Sequence, residues 1–361
     1  VQLPTLLLVG FVSLLSSQSG GQNMAAVATQ KKALDSIAAS LQQRDRSNRQ
    51  AARQWAASKG LAMRRELPGG RVIELQRLAP GLGPVFYLTS NIDAADTVST
   101  DELWPGGSLG LGLDGSGMTV GEWDGGAVLA EHPDLYPRVS QVDGATPVSN
   151  HATHVAGTLI ASGAIQRPEA RGMAYGADLA AYDWNSDTAE MAAAAAAGLL
   201  VSNHSYGAAA GWINIGGAPP DNWWWIGGAA DTDLEDSNFG YYDEESRLWD
   251  ELALNAPYYL IVKAAGNDRW DTGPEPGELY TIIDQAGTPL ATSTLARPAD
   301  CSPAGYDCLP TTSVAKNILT IGAVDDIIGG YQPLAGPSSV VMTGFSSWGP
   351  TDDGRIKPDL V

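Results

Sequence analysis

Two histidines, His151 and His154, stand three residues apart at the front of the small-residue, apolar stretch Asn150-His151-Ala152-Thr153-His154-Val155-Ala156-Gly157-Thr158, which reads as a helix. The chain holds only two others, His132 and His204. An imidazole at a helix start, facing a cleft, can take up and release a proton near neutral pH. The spacing puts both rings on one helix face, which a metal pair or two packed core histidines would also need. No glutamate follows the first histidine in the H-E-x-x-H sense, so zinc is disfavoured.

These residues need elements to hold them. Met118-Thr119-Val120-Gly121-Glu122-Trp123-Asp124-Gly125-Gly126 reads as a strand ending in an aspartate and two glycines. In an open α/β sheet, functional groups gather at the carboxyl ends of strands, which is where Asp124 falls. Asp124 also suits a turn before glycine. Tyr259-Leu260-Ile261-Val262-Lys263-Ala264-Ala265-Gly266-Asn267 is a second such strand. Asp, then His, then Asn, each at a strand edge or helix start, resembles the subtilisin-like serine peptidases (subtilases), whose triad runs Asp…His…Ser. The likeness extends to Gly344-Phe345-Ser346-Ser347-Trp348-Gly349-Pro350 and Asp353-Gly354-Arg355-Ile356-Lys357-Pro358-Asp359, and covers roughly residues 105 to 361.

The resemblance implies roles. His151 is the general base and then the general acid, Asp124 fixes its tautomer and stabilises the imidazolium, and His154 is a structural neighbour. Asn267 is the oxyanion donor, where a turn-forming asparagine is the alternative. Ser205, Tyr206 and Gly207 pair with an extended substrate as an added strand, and Ala264, Ala265 and Gly266 lie across the specificity pocket. His204 is read as a hydrogen-bonded structural residue. The sequence departs from the family at Ala152, where glycine usually follows the catalytic histidine. The family's nucleophilic serine lies beyond the Lys-Pro-Asp segment, so it is expected past Val361, and residues 1–361 alone are expected to be inactive.

Beyond the motifs, β and α patterns alternate: strands at 178–184, 200–206, 259–265 and 318–324, helices at 188–200 and 242–255. That alternation predicts an α/β domain, a parallel sheet flanked by helices, over residues 101–361. Residues 24–59 are rich in Ala, Gln, Arg and Lys and predict a helix ending near Gly60, followed by strands at 70–78 and 85–89. The expected region 23–100 is thus a small α+β unit, read by resemblance as a propeptide, with a permanent N-terminal domain as the alternative. Residues 1–100 carry 11 basic and 6 acidic residues, a net +5, whereas residues 101–361 carry 10 and 35, a net −25. Opposite charge gives the two parts a reason to dock, and the acidic part would repel nucleic acid.

Residues 5–15 form an apolar run too short to span a bilayer, read as the core of an incomplete signal peptide over residues 1–22, with a buried helix as the alternative. The expected setting is therefore secreted. Cys301 and Cys308 share a Pro/Gly loop and suggest a local disulfide, or two free thiols. Trp212 and Trp223-Trp224-Trp225 lie in a loop beside the substrate strand that could extend the cleft or cap an apolar edge. The acidic run Asp231-Thr232-Asp233-Leu234-Glu235-Asp236 could hold a structural Ca²⁺ or be solvated; no cofactor is expected for the chemistry itself. The expected partners are a peptide substrate and the chain's own propeptide. Two rivals remain: a catalytically inactive peptide-binding relative, and metal-dependent hydrolysis at His151, His154 and Asp124.

Overall fold

The computed structural model describes residues 30–66, 72–79, 83–89, 97–163, 171–216, 218–220, 222–226, 235–283, 289–301, 306–325, 327, 330–331 and 336–361. The apolar run 5–15 and Asp231–Leu234 lie outside them.

Helix α1 (Lys31–Lys59) is built from good helix formers, and its buried positions Leu34, Ala38, Leu41, Asp45, Ala52 and Ala56 line one face. Gly60 ends it in the left-handed region at φ 69°, and Leu61 N–H closes on Ala56 O at 2.9 Å. Three antiparallel strands follow, β1 (Arg64–Glu66), β2 (Val72–Ala79) and β3 (Gly83–Thr89). Ala52 and Ala56 of the helix pack on Leu75 of β2, which makes the expected α+β unit.

The larger part runs β4 (Thr119–Asp124), β5 (Val139–Gln141), α2 (Asn150–Ile160), β6 (Asp178–Asp183), α3 (Asp187–Ala196), β7 (Val201–His204), β8 (Tyr206–Ala208), β9 (Trp212–Asn214), β10 (Trp223–Trp225), α4 (Glu244–Asn255), β11 (Leu260–Ala264), β12 (Tyr280–Ile283), β13 (Pro289–Ser293) and β14 (Leu319–Ile321). Six strands form one wholly parallel sheet in the order β14-β11-β7-β4-β6-β5. The chain lays strands to one side of β4, then crosses to the other, so β4 borders the switch point where such sheets open a crevice at their carboxyl edge.

Strand alternation sorts the two faces. On one, Leu179 and Ala181 of β6 pack with Ala152, Ala156 and Ile160 of α2. On the other, Trp123 and Ile261 pack with Met191 and Ala192 of α3 and Trp249 and Leu252 of α4. Leu34 of α1 joins this second core, so the N-terminal helix is bedded in the larger part rather than loosely attached. The link is also ionic: Arg44 lies 3.0 Å from Glu245, and Arg77 lies 3.5 Å from Asp243, both at the start of α4.

The Trp-rich stretch is not a loop. Trp212–Asn214 and Trp223–Trp225 are strands of a second sheet, ordered β13-β12-β10-β9, with Trp212, Trp225 and Tyr280 buried together. Cys301 and Cys308 are bonded, their Cα atoms 4.8 Å apart.

Candidate active site

Alternation along β4 places Val120, Glu122 and Asp124 on the face covered by α2 and turns Trp123 to the other. Asp124, 1% exposed, therefore ends its strand pointing at the start of that helix. Ser149 caps α2: its extended backbone lets the hydroxyl accept the Ala152 N–H at 3.1 Å. His151 follows in the first turn, and its Nδ1 lies 2.9 Å from both carboxylate oxygens of Asp124. The Gly125 N–H donates to Asp124 Oδ1 at 2.6 Å and holds the carboxylate from behind. An ionised carboxylate is acceptor-only, so the proton between them sits on Nδ1 and Nε2 is left with the lone pair. Such an imidazole can take a proton at Nε2 and be stabilised as the cation by the carboxylate.

His154 is exposed, whereas His151 is mostly buried against Asp124. Among the described residues, the group whose ligand atoms converge is a different one, Asp268, Asp271 and Asp300, all within 4.8 Å of one another. Burial, then the charges of Asp268 and Asp271, push the Asp300 carboxyl well up. Three crowded carboxylates offering only oxygen fit a hard cation such as Ca²⁺.

Asn267 follows β11, is half-buried, and opens a short 3₁₀ turn, Asp268–Trp270. β11 and β4 flank β7, and the register sets Ala264 level with Asp124, so Asn267 lies three residues beyond the same sheet edge. Ser205 sits between β7 and β8 and accepts from Asn203 Nδ2 at 3.0 Å. Ala264 O takes the Ser313 hydroxyl, and Gly266 O takes the Ser347 N–H, which fixes that wall. The predicted residues Asp124, Ser205, Tyr206, Gly207, Ala264, Ala265, Gly266 and Asn267 thus follow the carboxyl ends of three adjacent strands, and the start of α2 brings His151 to Asp124.

The edge of β8 is paired. Thr89, Leu88 and Tyr87 of β3 lie antiparallel to Tyr206, Gly207 and Ala208. Ser346 and Ser347 are engaged elsewhere: Ser346 Oγ accepts the Ala323 N–H at 2.9 Å, and Ser347 Oγ donates to Asp268 at 2.9 Å.

Three buried groups surround the site; Glu122 and Lys263 escape the sequence reading, whereas His204 is the hydrogen-bonded residue it expects. Glu122, fully buried, has no hydrogen bond on either carboxyl oxygen among the described residues; burial and the charge of Asp124 hold its pKa well above the usual range. His204 belongs to a directed chain. The Tyr206 hydroxyl donates to Asp187 at 2.7 Å, so it accepts from His204 Nδ1; Nε2 then accepts from Ser202, which accepts from Tyr259. Burial, then the nearby Lys263, keeps this imidazole neutral, and burial pushes Asp187 up to about 6. Lys263 is the third, an ammonium 0% exposed under β8. Its only sequence signal is a lysine inside an apolar strand.

The model of the subtilase family matches residues 115–361. Among solved structures, the nisin leader peptidase NisP from Lactococcus lactis is 18% identical over 71% of this chain and 67% of its own, with a TM-score of 0.37. The prenylagaramide maturation protease PagA is 16% identical over 68% and 67%, also at 0.37. A serine protease of Aeromonas sobria is 18% identical over 66% of this chain and 37% of its own, at 0.36.

Proposed function

Because this chain belongs to the subtilase family, and is thereby a subtilisin-like peptidase, we propose that it is the precursor of a secreted serine endopeptidase. The observation that carries the reading is the pair Asp124–His151, buried and bonded at the carboxyl end of the switch-point strand. In the proposed reaction, His151 Nε2 removes the proton of a serine hydroxyl as its oxygen attacks the substrate carbonyl. Asp124 stabilises the imidazolium. The Asn267 side-chain N–H meets the charge on the carbonyl oxygen, and His151 then passes its proton to the departing amine. Ser346 and Ser347, engaged with Ala323 and Asp268, are not the nucleophile in this reading.

Residues 23–100 act as the propeptide. Support comes from β3 lying on the strand edge meant for substrate, and from the Arg44 and Arg77 contacts to Glu245 and Asp243. Export rests on the apolar run 5–15; among the described residues no helix is long and apolar enough to cross a membrane. Asp268, Asp271 and Asp300 would hold a structural Ca²⁺, whose charge would relieve their mutual repulsion next to Asn267.

The test is labelling of the full-length gene product with a fluorophosphonate. The reading expects labelling that His151→Ala abolishes and that brief chelation leaves in place. Peptide binding without labelling would instead identify an inactive relative, and activity lost at once to chelator would identify metal-dependent hydrolysis.

A further inference from the structure

Arg46, Arg49, Gln50, Arg53 and Gln54 recur at intervals of three and four along α1, so they form one stripe down the helix. The stripe lines an open cavity of about 550 Å³, closed on its other side by Asn185 and Ser186, which join β6 to α3. The cavity therefore lies in the seam between the N-terminal unit and the larger part. Guanidinium and amide groups dominate it, and none of the described residues that line it is acidic.

Three arginines in one stripe repel one another across successive helical turns. The chain has 41 acidic residues against 21 basic ones, so carboxylate partners are abundant. Arg46 and Arg53, both exposed, nevertheless have no ion pair or hydrogen bond among the described residues. Arg49 is anchored by donating to the Leu75 carbonyl. The acids nearby are already engaged: Arg44 lies 3.0 Å from Asp45 and 3.0 Å from Glu245, and Asp187 accepts the Tyr206 hydroxyl at 2.7 Å. Opposite the stripe, Ser186 makes no side-chain capping bond to α3, and the Asn185 side-chain oxygen is shut off from solvent without a hydrogen-bond partner among the described residues. Both side chains are therefore uncommitted at the cavity wall.

Guanidiniums in this arrangement select for an anion, and the two walls select its shape. A carboxylate offers one planar edge, whereas a phosphate or sulfate has oxygens on every side and can be gripped from α1 and from Asn185–Ser186 at once. Arg46 and Arg53 are about 10 Å apart along the helix axis, which leaves room for more than one such group. We infer that this seam binds an oligoanion carrying two or more phosphate or sulfate groups, held by Arg46, Arg49 and Arg53 against Asn185 and Ser186. A ligand that touches both parts strengthens the docking of the N-terminal unit by mass action. The inference does not depend on the peptidase reading.

Calorimetric titration of the intact chain with inorganic tripolyphosphate, with sucrose octasulfate and with citrate tests it. At least one of the first two is expected to bind about tenfold more tightly than the tricarboxylate, and the tighter of them tells phosphate from sulfate as the group recognised. Arg46→Gln combined with Arg53→Gln should weaken binding at least about 30-fold through the loss of two charge-assisted contacts. Lys32→Gln combined with Lys59→Gln removes the same charge from exposed positions of the same helix, and should change affinity less than about threefold. Bound ligand should also slow hydrogen exchange in β3 and β8. Absence of binding, citrate binding as tightly as both polyanions, or equal losses in the two double variants overturns the site. Binding that leaves exchange in β3 and β8 unchanged overturns its role in docking.

Discussion

Nδ1 of His151 is equidistant from the two carboxylate oxygens of Asp124, 2.9 Å to each, although the residues are 27 apart in the chain. A symmetric acceptor holds the ring in one tautomer without demanding a single torsion from the aspartate. Asp124→Asn replaces one oxygen by a donor and favours the wrong tautomer. We expect kcat to fall by about 10⁴ with the fold retained, read by steady-state kinetics beside circular dichroism. A loss below tenfold would remove Asp124 from the machinery.

In the proposed reaction Asn267 acts through its side-chain amide, so Asn267→Ala should lower kcat by about 10²–10³ and leave KM nearly unchanged. That magnitude is the one measured for such a donor in an enzyme of this family. A change confined to KM would assign the residue to binding instead.

Arg44 and Arg77 face Glu245 and Asp243, whose side chains are 5% and 7% exposed. Asp243 also caps α4 through the Ser246 N–H at 2.8 Å. Replacing both arginines by alanine leaves two mostly buried carboxylates without their cations. Docking of α1 and β1–β3 should weaken by about 1–3 kcal/mol. Hydrogen exchange in β3 and β8 should then speed up in the intact chain. Unchanged exchange would mean that apolar burial of Leu34 and its neighbours alone holds the unit down.

Burial pushes the Lys263 ammonium down to about 7 from an ordinary value of 10.5. Between those values the unfolded chain binds a proton that the folded one lacks, so this residue makes stability rise with pH across the window. Below pH 7 both states are protonated and the full penalty of burial applies. Lys263→Met should abolish this part of the slope and stabilise the protein most at pH 6, by an amount on the order of a few kcal/mol. The measurement is chemical denaturation of both proteins from pH 6 to 10. Parallel curves would show the lysine to be solvated.

Tyr206→Phe removes the donor that satisfies Asp187 and the acceptor that orients His204. It should cost about 1–3 kcal/mol of stability. Tyr259→Phe, at the far end of the same chain, removes only a terminal donor and should cost less. Equal losses would mean the chain is not directed as assigned.

Much of this is legible in the chain because local signals suffice for it. The helix carrying His151 declares itself by a run of small apolar residues. The strand carrying Asp124 does so by its glycine-terminated end, and the alternation of β and α patterns dictates a parallel sheet. The Trp223–Trp225 run reads as a loop because three identical residues show no alternation. Its partner strand β12 also lies some sixty residues onward, and no local rule anticipates that pairing. The isolation of Lys263 is hidden for the same reason: β7 and Tyr206 create it, and neither adjoins it in sequence. The raised pKa of Glu122 likewise follows from burial and then from Asp124, which the strand pattern does not announce.

The ribbon Val201–Ala208 belongs to two sheets at once, parallel to its neighbours up to His204 and antiparallel to β3 from Tyr206. While the backbone between Thr89 and Thr119 is unbroken, β3 is tethered, and a tether of that kind is equivalent to roughly millimolar free ligand. No dilution of the intact molecule weakens it. Once the backbone is cut, the same strand becomes an ordinary solute whose hold depends on how much of it is present. One hydrolysed bond would turn a permanent occupant into one that a larger volume can wash away.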